Sequence, residues 1–191
     1  MNEAALTAVS EDMKRSTENV NGAIKPIVEK LLSGWKLMQV EGKDDEVCKL
    51  LDMSCGVDYL LHSEKSGVIL GLSSRVQYEE NYRTFTVRKE RESGALTEYE
   101  KRTQAMTSGG IYPYYTIQAY MKDGEVKGLG ITKTSDLIEY IKKGYADEKE
   151  TGMNRIGQAK FYVCHWDDMK IKGYKVIEYK ERQDKTIDND E

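Results

Sequence analysis

Seven residues fall at alternating positions of three candidate strands, where they can do chemistry together: Asp58, Ser73, Arg75, Gln77, Thr86, Arg88 and Glu90. Side chains alternate along a strand, so one face of 68–77 carries Val68, Leu70, Leu72, Ser74 and Val76, and the other ends in Ser73, Arg75 and Gln77. Asp58 opens the preceding strand, and Thr84, Thr86, Arg88 and Glu90 share a face of the following one. A carboxylate is a hard ligand for a divalent cation, whereas arginine keeps its proton and answers phosphate. One carboxylate holds Mg²⁺ too weakly, so a metal site at Asp58 needs a second acid, with Asp52, Glu79 and Glu90 as candidates. The plain alternative is a solvated face, where outward polar alternation is the default.

Aromatics interleave with bases nearby, at Tyr78, Tyr82, Arg83, Phe85, Arg88 and Tyr99, then at Tyr112, Tyr114 and Tyr115. Nucleobases stack on aromatic planes while cations neutralise phosphate, an arrangement that suits single strands or duplex ends. The candidate cations for nucleic acid or another partner are Arg75, Arg83, Arg88, Lys89, Lys101 and Arg102. The run 84–102 is nonetheless mixed, with acids at Glu90, Glu92, Glu98 and Glu100, and such runs also form solvated faces. Several tyrosines can equally pack with their hydroxyls at the rim of a core.

The elements that must position these residues follow from periodicity. Ile27, Val28, Leu31 and Leu32 form a stripe on a helix over 24–32, with Pro26 in its first turn and Gly34 as its stop. Residues 41–46 read as a charged loop. From Val57 the period becomes strand-like, and 57–61, 68–77 and 83–91 read as three antiparallel strands in sequence. Residues 92–113 make an excursion with some helix. Strands follow at 115–121 and 126–132 around a Lys122-Asp123-Gly124-Glu125 turn, then a helix from Thr134 or Ser135 to Lys143. Two more strands, 160–165 and 174–179, complete the set. The fold class is α+β: an antiparallel three-stranded meander within a mixed sheet, flanked by helices. Residues 1–180 are expected to form one domain and 181–191 an acidic flexible tail.

At 191 residues the chain can bury a substantial core. Its hydrophobic fraction is 39% and its net charge -4, with a mean hydropathy of -0.68. An acidic total argues against a general nucleic-acid coat but not against a local basic groove. No apolar run is long enough for a membrane span, and the first residues carry acids without an apolar core, so neither membrane insertion nor secretion is expected. Three cysteines without a close pair fit a cytoplasmic location.

The helix at 24–33, the strand opened by Gly56-Val57-Asp58 and the strand ending Ser73-Ser74-Arg75-Val76-Gln77 together resemble the PD-(D/E)xK superfamily of restriction-endonuclease-like proteins. The resemblance spans roughly residues 24–122 and implies a nuclease-like αβββαβ core. It puts Asp58 in the first acidic position, as ligand to catalytic Mg²⁺, with Gln77 and Glu90 as the accompanying catalytic candidates. The second strand of such a core carries an acid and, two residues later, a lysine. Here Ser73 and Arg75, or Arg75 and Gln77, stand there instead, and arginine cannot act as a base. Either the acid has migrated, or the fold is kept without cleavage and needs no cofactor.

Two functions follow as expectations. The first is a nucleic-acid-associated protein of a phage or plasmid with a nuclease-like core, possessing or having lost metal-dependent cleavage. The second is a non-enzymatic, anti-CRISPR-like counter-defence inhibitor, whose acidic surface would occupy the positive nucleic-acid channel of a host nuclease complex.

Overall fold

A computed structural model describes residues 18–78, 80–91, 94–150 and 159–180. The tail at 181–191 and Glu79 lie outside the described residues. A π-helical turn, Val20–Ile24, runs into helix α1, Lys25–Leu31, with Pro26 in the first turn, where its missing N–H costs nothing. Gly34, at φ 86°, reverses the chain into strand β1, Lys36–Gln39. A short helix α2, Glu46–Lys49, is capped by the Asp45 side chain, which accepts the Cys48 N–H, and continues as a π-helical turn, Leu50–Ser54. Strands β2, Tyr59–His62, and β3, Ile69–Gln77, follow. Strand β4 is Thr84–Arg91 and helix α3 is Glu98–Ser108. Next come β5, Tyr115–Lys122, β6, Glu125–Lys133, and helix α4, Thr134–Lys142. Strand β7, Asp147–Glu150, β8, Ala159–His165, helix α5, Trp166–Ile171, and β9, Ile177–Lys180, finish the described chain.

Six strands form a mixed sheet in the order β1-β2-β3-β5-β6-β9, and β4-β8-β7 form a second, antiparallel sheet. The fold is therefore α+β with an antiparallel three-stranded meander in a mixed sheet, as its periodicity implies. The membership of that meander differs from expectation. It consists of β1, β2 and β3, with Leu37 opposite Leu61 and Leu61 opposite Leu70. Strand β4 does not pair with β3. The neighbour of β3 on that side is β5, which runs parallel to it with Arg75 opposite Gln118. A parallel neighbour requires a crossover, and α3 lies in that connection. Alternation identified 83–91 as a strand but carries no information about its partner. Strand β1, only four residues long and with one buried side chain, Leu37, falls below what alternation can detect.

The two faces of the large sheet have opposite chemistry. On one, Ile24, Val28 and Leu32 pack with Leu37, Leu61, Leu72 and Ile117, and Leu70 borders the same cluster. On the other, β4 lies across β3 and β5: Tyr120 Oη receives the Thr84 N–H, and Thr86 Oγ1 donates to Gln118 Oε1 at 3.2 Å. The face that alternation assigns to solvent is thus an interlayer. Ser73, Thr84, Thr116, Gln118 and Thr132 are buried in it, and each polar group there must find a partner inside the protein. Beyond the interlayer, Phe85 and Val87 pack with Leu137, Ile138, Tyr140, Cys164 and Trp166. No helix among the described residues is long and apolar enough to cross a membrane.

Candidate functional site

Where the β2–β3 end of the interlayer meets α3 and the loop before β2, the structure encloses a cavity of about 260 Å³. Asp58 enters it from the residue before β2. Its backbone is pinned on both sides: its N–H donates to Leu72 O, and its carbonyl accepts the N–H groups of Val40 and Glu41. The Ser74 N–H donates to Asp58 Oδ2 at 2.6 Å. Burial pushes the Asp58 carboxyl up to about 8. The Ser74 bond and Arg102 pull it down, while the charges of Glu41 and Asp52 push it further up.

Helix α3 supplies the rest of one wall, and its start is built into the sequence as a capping box. Thr97 accepts the Glu100 N–H, and Glu100 in turn accepts the Thr97 N–H at 2.8 Å. Its end is Gly109 at φ 70°, a left-handed position that glycine adopts without strain. Between those ends Glu98 and Arg102 are four residues apart and so share a face. Arg75 Nη2 donates to Glu98 Oε1 at 2.7 Å and Arg75 Nη1 to Thr86 Oγ1 at 3.1 Å. The Arg88 N–H donates to Glu98 Oε2 at 3.3 Å. Burial alone would raise the Glu98 carboxyl, but Arg75, Arg102 and Arg88 hold it at about 2. The Arg75 and Arg88 guanidiniums both lie over the Phe161 ring, 5.1 and 5.5 Å from its centroid.

Arg102 is the deepest cation, only 6% exposed. Its Nη2 donates to Ser73 Oγ at 2.8 Å, and Ser73 Oγ reaches Thr116 Oγ1 at 3.3 Å. Its Nη1 is buried with no hydrogen-bond partner among the described residues, and the same holds for the Nε atoms of Arg88 and Arg91. Arg91 lines the cavity because of a β-bulge. Opposite β8, Arg88 pairs with Phe161, Glu90 with Lys160 and Arg91 with Ala159, so Lys89 is the extra residue. A regular strand would turn Glu90 toward the large sheet beside Arg88. The bulge turns Arg91 there and sends Glu90 to an ion pair with Lys160 at 2.8 Å.

The expected site residues therefore separate. Asp58, Arg75, Lys101 and Arg102 line the cavity, and Arg88 joins them through Glu98. Gln77 is held by Gln118 Nε2 at 2.9 Å. Arg83 is bound by Asp167 at 2.7 Å and Glu178 at 3.0 Å, and Lys89 by Glu148 at 2.6 Å. Gln77, Arg83, Lys89 and Glu90 do not line the cavity. The residues missed in the sequence are Glu98, the counter-ion of three arginines, and Arg91. The Thr97-x-x-Glu100 spacing was the available signal for Glu98, because it fixes the face of α3 on which Glu98 and Arg102 fall.

Mg²⁺ would meet more cations than carboxylates here, although two of the expected acids, Asp52 and Asp58, line the cavity together. Ser73, on the neighbouring strand, offers no carboxylate, and its hydroxyl accepts from Arg102. Among the described residues no three histidines, cysteines or carboxylates converge as a metal site. The cavity wall carries Arg75, Arg91, Lys101 and Arg102 against Asp52, Asp58 and Glu98. That balance suits an anion. Comparison with protein-family models, curated proteins and solved structures found no match.

Proposed function

We propose that this chain is a nucleic-acid-associated protein with a nuclease-like core that binds without cleaving. One observation carries the reading: at the place where the resemblance implies a metal-binding acid, Ser73 Oγ accepts from Arg102, and an arginine–glutamate network fills the catalytic wall. The succession of α1, β1, β2, β3, α3 and a β5 parallel to β3 supports it, since it follows the αβββαβ order of such cores once α2 with its π-helical turn and β4 are set aside as insertions. The test is incubation of the intact chain with plasmid and with DNA and RNA oligonucleotides in Mg²⁺ or Mn²⁺. Binding without strand scission is the expected result. Scission that disappears in repurified Asp58→Ala would overturn the reading in favour of a working nuclease.

A second reading, an anti-CRISPR-like inhibitor docking on a host nuclease complex, draws on a different observation. Val47, Leu50 and Met53 are exposed on α2 and the turn after it, and Met53, Leu96 and Ile111 border a groove beside the cavity. Exposed apolar residues gathered in this way mark protein contacts more often than nucleic-acid contacts. Inhibition of a purified RNA-guided nuclease that Met53→Asp relieves would favour this reading over the first.

A further inference from the structure

We propose that the cavity beside Arg102 is a receptor for a phosphate monoester, the dianionic group found at the end of a nucleic-acid strand or on a small phosphorylated molecule. The inference rests on the nucleic-acid reading above and names the part of the nucleic acid that the chain grips.

Three features carry it. Arg102 is 6% exposed, lines the cavity and leaves Nη1 without a partner among the described residues. A guanidinium N–H buried without an acceptor is disfavoured, and an oxyanion supplies what it lacks. Arg91, brought round by the bulge, lines the same cavity with its Nε equally unanswered. Lys101, one residue before Arg102, also lines the cavity; its ammonium donates to Met53 O, which leaves two further N–H donors. The cations therefore come from β4 and from two successive positions of α3. Donors spread over two elements suit a tetrahedral group with three free oxygens better than a planar carboxylate.

The carboxylates of the wall do not cancel this field. Glu98 is answered by Arg75 and by the Arg88 N–H and shares its charge among three arginines, so it only part-neutralises Arg102. Asp58 accepts the Ser74 N–H, and Asp52 lies within the field of Lys101. The shape selects the source. A recess of about 260 Å³ accepts a group that projects from the end of a chain. A phosphodiester within a duplex is flanked by its neighbours and cannot enter to the depth of Arg102.

The experiment uses the full chain with three probes: inorganic phosphate, a single-stranded oligonucleotide bearing a 5′-phosphate, and the same strand with a 5′-hydroxyl. Anisotropy reads the strands, and melting temperature reads inorganic phosphate. The expected result is about tenfold tighter binding of the phosphorylated strand, with competition by inorganic phosphate. Lys101→Ala, a change at a half-buried residue outside the Glu98 network, should cut that preference severalfold. Arg102→Gln should abolish it, provided circular dichroism shows the variant folded; Arg91→Gln serves as the second variant if it is not. Equal binding of both strands would overturn the inference while the nucleic-acid reading stands. A melting shift with inorganic phosphate and no binding of either strand would keep the phosphate site and overturn the nucleic-acid reading. No response to any probe would overturn both.

Discussion

Arg75 on β3 and Glu98 on α3 are joined at 2.7 Å, with both side chains about a quarter exposed, and this pair closes the wall between the large sheet and the crossover helix. The pair makes Arg75 a structural cation. The sequence put it forward as a contact for nucleic acid, yet both of its terminal nitrogens are engaged within the chain. Removing one partner of such a part-buried pair leaves the other charge without its counter-ion in a poorly solvated wall, which costs more than the pair contributes in place.

Glu98→Gln is therefore expected to destabilise the chain by about 3 kcal/mol, because Arg75, Arg88 and Arg102 lose a shared counter-charge. The acid limb of the stability profile should change with it. Glu98 is held at about 2 against an ordinary 4.5, so its contribution is complete above 4.5 and fades as pH falls toward 2. Urea titrations at several pH values check both points. A variant equal in stability to the parent at neutral pH would remove Glu98 from this role.

Asp58 has the opposite sign. Its carboxyl is raised from 3.8 to about 8, so its contribution is most favourable below 3.8 and is lost as pH climbs through 8. Asp58→Asn keeps an oxygen to accept the Ser74 N–H and removes the ionisation. Its melting temperature should rise relative to the parent between about pH 5 and about pH 9, each kcal/mol appearing as roughly 2–4 °C. A difference that shrinks over that range would contradict the buried, protonated carboxyl.

Gly130 tests the packing of the second layer on the first. A Cβ at this position would stand 2.5 Å from Trp166 Cε2 and Cζ2, and Trp166 is fully buried among Phe85, Tyr120 and Tyr140. Backbone on one side and an indole ring on the other leave no room to yield. Gly130→Ala should cost about 1–3 kcal/mol and disturb the near-ultraviolet signal of the tryptophan. An unchanged melting temperature and spectrum would show that the indole can move aside.

Salt dependence separates binding from stability. If cavity cations meet phosphate, the affinity for a single strand should fall as salt rises, and Lys101→Ala should reduce the slope by about 1 in log–log form. Arg83→Ala, at a residue committed to Asp167 and Glu178, should leave the slope as it is and lower stability. Equal effects of the two changes on the slope would detach binding from the cavity.

Much of the local structure was legible in the residue order. The α1 stripe, the alternation of β3 and β4, the Lys122-Asp123-Gly124-Glu125 turn and the buried face of α4 are properties of neighbours in the chain, and periodicity records neighbours directly. Asp58 was visible as a carboxylate at the mouth of a strand for the same reason. The partners of β4 were not visible, since alternation states that a strand has two faces and is silent on what lies against its edges. Once β4 crosses the large sheet, Ser73 and Arg75 pass from an expected solvent face into an interlayer, and their chemistry changes with their surroundings. The bulge at Lys89 is a defect of register between β4 and β8, strands far apart in the chain, so only the folded chain could exchange Glu90 for Arg91 at the cavity. Composition and short-range spacing determined which side chains this protein can use, and long-range pairing decided which of them meet, because the energy of a buried charge depends on neighbours that sequence distance does not encode.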